Sequence, residues 1–228
     1  MKIPISSRLL ACADFVPQGS RVADIGCDHG YLSIYLLTRG IAASAITSDV
    51  REGPLRSAMT NAQRFGIEEN IRFYLSDGFR AIPRDFDCAV CAGMGADTMI
   101  SILEAAPWLR KDDYRLILQC QSKTPMLRRY LSDNGWHIRR ETALRDGRFL
   151  YTVMEVLWQP DAPRLTLGQW YFPPAMTAEP SEFTEEYFRQ TLDKLQYAIQ
   201  NRGDSADPEH IAALSQLQQH PIALGRSL

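Results

Sequence analysis

The chain has 228 residues, 45% hydrophobic and 23% charged, with a formal net charge of -2. That length suits one large α/β domain, or one domain with a helical appendage, and the composition excludes a disordered chain and a polycation. The five cysteines form no paired framework and suit reduced thiols in a cytosol, and no run approaches the roughly 18 apolar residues of a membrane span.

Leu9, Leu10, Ala13 and Val16 give a helix over residues 5–15, closed by Pro17 and Gly19. Arg8 and Asp14 interrupt this stretch, so it does not read as a secretory signal. Strands are expected at 21–25, 43–48, 70–75, 86–91 and 114–119, alternating with helices at 30–39, 53–65, 96–106 and 123–134. Such alternation implies a parallel sheet with helices on both faces. Residues 136–144 and 149–158 flank Asp146-Gly147, a hairpin signal. Pro160, Pro163, Pro173, Pro174 and Pro180 then mark a boundary or wrapped linker. Two helices follow. One runs over about 182–201, with Phe188, Leu192, Leu195 and Ile199 on one face and Gly203 ending it. The other starts at Asp207 as N-cap and Pro208, and carries Ile211, Leu214 and Leu217. The pair reads either as a hairpin packed on the core or as a protruding coiled-coil arm.

The first strand leads into Asp24-Ile25-Gly26-Cys27-Asp28-His29-Gly30-Tyr31, a strand–glycine loop–helix unit of the kind that cradles nucleotide-like ligands. A dinucleotide fingerprint needs glycine at 26, 28 and 31, where this chain has Gly26, Asp28 and Tyr31. A carboxylate at Asp28 repels a pyrophosphate and a ring at Tyr31 blocks close approach, whereas a ligand with an ammonium and a sulfonium welcomes the carboxylates. That points to S-adenosylmethionine (SAM) rather than a nicotinamide dinucleotide.

Asp24, Asp49 and Asp77 follow the first three strands, at the carboxyl ends where open α/β sheets bind ligands. Asp49, followed by Val50, is placed to accept from ribose hydroxyls. Asp77, followed by Gly78, is placed to accept from an adenine amino group, and Asp24 and Asp28 lie where a methionyl ammonium would sit. Gly26 and Gly30 complete the first loop. Ala92-Gly93-Met94-Gly95 follows the fourth strand; its glycines let backbone come close to a ligand, and in this fold the loop, with Gly93 and Met94, would face the methyl group. Cys88 and Cys91 have half a zinc-site spacing, but positions three apart on a strand face opposite ways and no second pair completes it, so no metal is expected. Residues 121–150 hold seven basic and three acidic side chains, and residues 174–228 hold four and eight. The basic face fits a docked polyanion, or else is simply a solvated surface.

Asp24–Ser33 resembles the Asp-Ile-Gly-Ser-Asp-His-Ala-Tyr-Leu-Pro motif of bacterial tRNA adenine-22 N1-methyltransferases. Gly53-Pro54-Leu55, Asn61-Ala62, Gly66-Ile67, Asp77-Gly78 and Ala92–Gly95 extend the likeness over about residues 4–158. Departures are Cys27 for Ser, Gly30 for Ala, Ser33 for Pro, and Leu118-Gln119-Cys120-Gln121 where the family tends to Leu-Gln-Pro-Asn. The resemblance implies methyl transfer from SAM to N1 of an unpaired adenine in tRNA, with His29 and Tyr31 as candidate catalytic residues, one donating to the acceptor and the other stacking on a ring. The expected fold is α/β, a class I (Rossmann-like) methyltransferase with a seven-stranded, mostly parallel sheet ending in an antiparallel hairpin. Residues 1–160 would form the SAM-binding domain and 161–228 a linker and two-helix, coiled-coil-like appendage. The expected partner is tRNA in the cytoplasm, with no membrane, and oligomeric state is left open. Other readings are a SAM enzyme acting on a small molecule or another RNA, and a noncatalytic SAM- or RNA-binding module.

Overall fold

A computed structural model of the chain describes residues 2–225 apart from 112, 202–204 and 206. The elements in chain order are α1 (Ser7–Phe15), β1 (Ser20–Ile25), α2 (Tyr31–Thr38), β2 (Ala42–Asp49), α3 (Glu52–Phe65), β3 (Ile71–Leu75), β4 (Cys88–Gly95), α4 (Ala96–Glu104), β5 (Arg115–Ser122), α5 (Thr124–Asp133), β6 (Trp136–Asp146), β7 (Phe149–Trp158), α6 (Leu167–Tyr171), α7 (Ala175–Ala178), α8 (Thr184–Gln200) and α9 (Pro208–Gln218).

One seven-stranded sheet has the order β3-β2-β1-β4-β5-β7-β6. Its first five strands are parallel, and β7 runs antiparallel to both its neighbours, β5 and β6, so that β6 points the same way as the first five. This is the class I methyltransferase plan. Side chains alternate across the sheet, because successive strand residues point to opposite faces. Ala23, Ile25, Ala89, Cys91, Leu116 and Leu118 pack with Met99, Leu103, Leu127 and Leu131 of α4 and α5. Val22, Cys88, Val90, Ile117 and Val153 pack with Cys12, Ala13, Leu32 and Leu36 of α1 and α2. Cys88 and Cys91 thus lie on opposite faces.

The proline-rich stretch is more than a linker. It contains α6, opened by a capping box in which Thr166 and Gln169 satisfy each other's backbone N–H groups, and α7. Both helices are too short to show a helical period in sequence. Neither does the tail protrude. Phe172, Met176, Phe188, Leu195, Ala213 and Leu217 close over Ala143 of β6 in one buried cluster. The Asp207 carboxylate caps α9 by accepting from Glu209 N at 2.9 Å; Gly203 lies outside the described residues.

Charge tells the same story. The arginine excess of residues 121–150 is matched largely by the acidic tail and by buried acids, not left for a polyanion. Arg129 meets Glu209 at 3.0 Å, Arg145 meets Glu186, and Arg140 lies 3.8 Å from Glu179. Arg139 and Arg140 both reach the buried Glu155 at 3.2 Å.

Candidate functional site

A cavity of about 490 Å3 opens where β1 to β4 end, within the range of about 300–1,000 Å3 usual for small-molecule sites. Parallel strands all present their carboxyl ends here, so the acidic residues at or just beyond the ends of β1, β2 and β3 converge on one space.

At the end of β1, Gly26 takes a positive φ of 74°. Its N–H and that of Cys27 both donate to Ser48 O at 2.9 Å, fastening the loop to β2. A Cβ on Gly26 would meet only the movable tip of Met94, so it is the positive φ rather than lack of space that calls for glycine here. Asp28 also has a positive φ, 51°, a conformation that costs a non-glycine residue and persists only where its surroundings hold it. Here the Asp28 N–H donates to Asp49 Oδ2 at 3.2 Å. Asp49 Oδ1 accepts from Arg51 N at 2.9 Å. The Asp49 carboxylate, buried by the fold, is therefore oriented by one backbone N–H on each oxygen and retains lone pairs for a ligand.

Asp24 is buried, and its Oδ2 accepts from Ser33 Oγ at 2.8 Å, while Ser33 Oγ accepts from Thr47 Oγ1 at 2.7 Å. Burial pushes the Asp24 carboxyl up to about 6 and the Asp49 charge adds to that, while the Ser33 bonds oppose it. On the third strand's side, Asp77 is exposed, 3.5 Å from Arg80 Nε. Its loop is pinned by Ser76, whose Oγ donates to Gly78 O at 2.9 Å and accepts from Ala81 N at 3.0 Å. Gly78 is required there, since a Cβ would come within 2.9 Å of Ile102.

Residues 92–95 are not a separate loop after the fourth strand. They are its last residues, with register shifts against β5 on either side of Met94. Such irregularities re-aim a strand end. Gly93 N donates to Gln119 Oε1 at 3.1 Å, and Arg8 Nη1 donates to the same oxygen at 3.3 Å. Arg8 Nε is in turn held by Asp146 Oδ2 at 2.7 Å. An N-terminal helix, a hairpin turn and β5 thus fix the strand end facing the cavity.

The structure brings Asp24, Gly26, Asp28, Asp49, Val50, Asp77, Gly78, Gly93 and Met94 into one wall. It leaves three expected site residues out of that wall. Gly30 is a packing glycine: its φ is 71° and a Cβ would stand 2.8 Å from Ala58 Cβ, across the contact between α2 and α3. Tyr31 packs with Ile34, Ala45, Ala62 and Ile71. His29 is half-exposed, its Nε2 lying 3.7 Å from Asp28 Oδ2. Residues the sequence argument did not single out do line the cavity, notably Arg8, Thr98 and Gln121. Gln119 and Ser33 support it from behind. Their only sequence signal was that Ser33 and the residues after Gln119 depart from the family pattern.

Four carboxyl groups face two guanidinium groups, those of Arg8 and Arg51, in this wall. The arrangement suits a ligand with a cationic end and several hydroxyl and amino donors. Among the described residues no group of three or more His, Cys, Asp or Glu is placed to hold a metal, and no helix is long and apolar enough to cross a membrane.

Residues 5–154 match the family described as "Methyltransferase domain". The tRNA (adenine(22)-N(1))-methyltransferase of Bacillus subtilis is 30% identical over 154 residues, 67% of this chain and 65% of that protein. MG248 of Mycoplasma genitalium is 34% identical over 140 residues, 59% of this chain and 61% of that protein. The alignments therefore span less than two thirds of these relatives' lengths. Streptococcus pneumoniae Sp1610, solved in complex with S-adenosyl-L-methionine, superimposes with a TM-score of 0.81 at 32% identity, covering 93% of this chain and 99% of that one.

Proposed function

This chain belongs to the family of bacterial tRNA (adenine-22-N1)-methyltransferases, and from that premise we propose that it transfers a methyl group from SAM to N1 of an unpaired adenine, adenine 22, in tRNA. The observation that carries this reading is the acidic cavity at the strand ends, with the glycine-containing end of β4 as one wall.

The donor set fits SAM. Asp49, with both oxygens oriented by backbone N–H groups, accepts from the ribose hydroxyls. Asp77 accepts from the adenine amine, and Asp24 and Asp28 face the methionyl ammonium. Gly26 and Gly78 give the ligand room beside the backbone, and Val50 gives it an apolar surface. When bound, SAM supplies an electrophilic methyl group.

The chain's own part in the chemistry is positioning. N1 of neutral adenine carries a free lone pair, so no residue has to remove a proton before attack. Holding N1 in line with the methyl group converts an encounter into an intramolecular geometry. The backbone around Gly93, tethered through Gln119 to Arg8, is the surface against which the base is held. Its carbonyls accept from the exocyclic amine, and the nearby carboxylates favour the cationic product. N1 lies on the pairing edge, so the base has to be unstacked from its helix first. Such a role belongs in the cytoplasm.

The test is incubation with methyl-labelled SAM and unmodified bulk tRNA, then nucleoside analysis. Labelled 1-methyladenosine is expected; SAM binding without label in any adenosine would overturn the reading.

A further inference from the structure

Helix α8 carries two different inward faces. Phe188, Leu192 and Leu195 pack into the apolar cluster over β6. Tyr187, Gln190, Thr191, Lys194 and Ala198 recur at helical spacing on a neighbouring stripe and line a second cavity, of about 340 Å3, against the β5–α5 connection and Tyr151 of β7. A helix face turned toward the body of a protein is ordinarily apolar. This stripe is mostly polar, and with Lys194 exposed it borders an open cleft instead of closing it with apolar side chains. The fold alone gives no reason for it.

The two cavities have opposite electrostatic character. Four carboxyl groups face the first. Among the described residues, no carboxylate lines the second, which has Lys123, Lys194 and His210 instead. That contrast stands out in a chain of net charge -2. Lys123 reaches Asp97 at 2.8 Å, both side chains being exposed, so this pair can open to another anion at little cost. Three tyrosines, Tyr151, Tyr171 and Tyr187, stand in the wall, and Gln121 lines both cavities. Aromatic rings beside cations are how proteins take unstacked nucleotides, rings for bases and cations for phosphates.

We propose that this cleft is a subsite for a nucleotide of the substrate RNA adjoining the acceptor, with its phosphate toward Lys123 and Lys194 and its base toward the tyrosine wall. The inference rests on the tRNA-methylating function proposed above. It gives the C-terminal helices a role in substrate binding through an inner face, while their outer acidic residues neutralise the arginines of the core.

The full-length protein is compared with Lys194→Glu and Ala198→Trp, measuring steady-state methylation of a tRNA transcript and, separately, SAM affinity and melting. Transfer by the wild-type protein comes first: its absence sinks the functional reading, and this subsite with it. Given transfer, Lys194→Glu should raise KM for tRNA about tenfold or more and flatten its salt dependence. Ala198→Trp, which fills the cleft, should do the same while melting no lower than the wild type. Both variants should keep SAM affinity within about twofold. Lys194 is exposed, so its variant will fold; a KM for tRNA unchanged in Lys194→Glu at low salt overturns the inference.

Discussion

Arg128 and Glu141 form an ion pair of 2.6 Å with neither side chain exposed, and it joins the sheet to the C-terminal helices. Arg128 Nη1 also donates to Trp170 O and Tyr171 O at 2.9 Å, and Nη2 to Tyr187 Oη at 3.2 Å. One guanidinium on α5 thereby holds β6, α6 and α8 together. Removing one partner of such a pair leaves a buried charge uncompensated, which costs about 3–5 kcal/mol. Arg128→Ala should lower stability to denaturant by that amount, and hydrogen exchange should show α6 and α8 losing protection before β1 and β4. Equal loss everywhere would mean the pair is not the joint.

Asp24 makes stability and ligand binding depend on pH in opposite directions. Its carboxyl is raised from 3.8 to about 6, chiefly by burial. The stability linked to it is therefore present below pH 3.8 and lost as pH rises through about 6. Binding of a cationic ligand runs the other way, since it needs the carboxylate. SAM affinity should fall as pH drops from 7 to 5, and Asp24→Asn should bind weakly with a flat profile while its unliganded form is more stable than wild type at pH 7. Calorimetry at the two pH values, with melting, checks all three.

Gln119 orients the strand end that lines the cavity. Gln119→Leu removes the acceptor for Gly93 N and Arg8. An unsatisfied, partly buried N–H costs about 1–3 kcal/mol, expressed here as a misplaced wall. Turnover should fall about tenfold with SAM affinity changed by less than threefold. A parallel loss of both would show that Gln119 serves the cofactor instead.

Gly26 and Gly30 have similar φ values but different neighbours. Gly26→Ala drives a Cβ into Met94, and Gly30→Ala drives one into Ala58. The first strains the loop through its φ of 74° and displaces the tip of Met94, so it should weaken SAM binding in a protein that still folds. The second should lower the melting temperature, and any SAM bound by the surviving folded fraction should bind with wild-type affinity. His29→Ala and Tyr31→Phe, whose side chains lie outside the cavity wall, should keep turnover within about threefold.

The sheet was legible in the sequence because each strand reads as a short apolar run between glycines and helices, and Asp146-Gly147 marks the one hairpin. The carboxylates ending β1, β2 and β3 were legible for a related reason: topology alone brings strand ends together. Other features depend on contacts that no local pattern carries. Gly30 and Tyr31 sit in a motif with true cavity residues, yet helix packing turns them away from the site. Arg8 and Gln119 lie 111 residues apart and meet only in the folded chain. The basic segment around the hairpin fits either an RNA face or a solvated surface by its charge count, but its arginines pair partly with the acidic tail and partly with Glu141 and Glu155, which separate charge counts cannot show.

The most direct test uses two tRNA transcripts identical except for adenosine or guanosine at position 22, incubated with SAM and mapped by reverse transcription. The account predicts a stop at position 22 in the adenosine transcript, sensitive to Asp49→Ala, and none in the other. Methylation of both transcripts alike, or of neither while SAM binds, would contradict it.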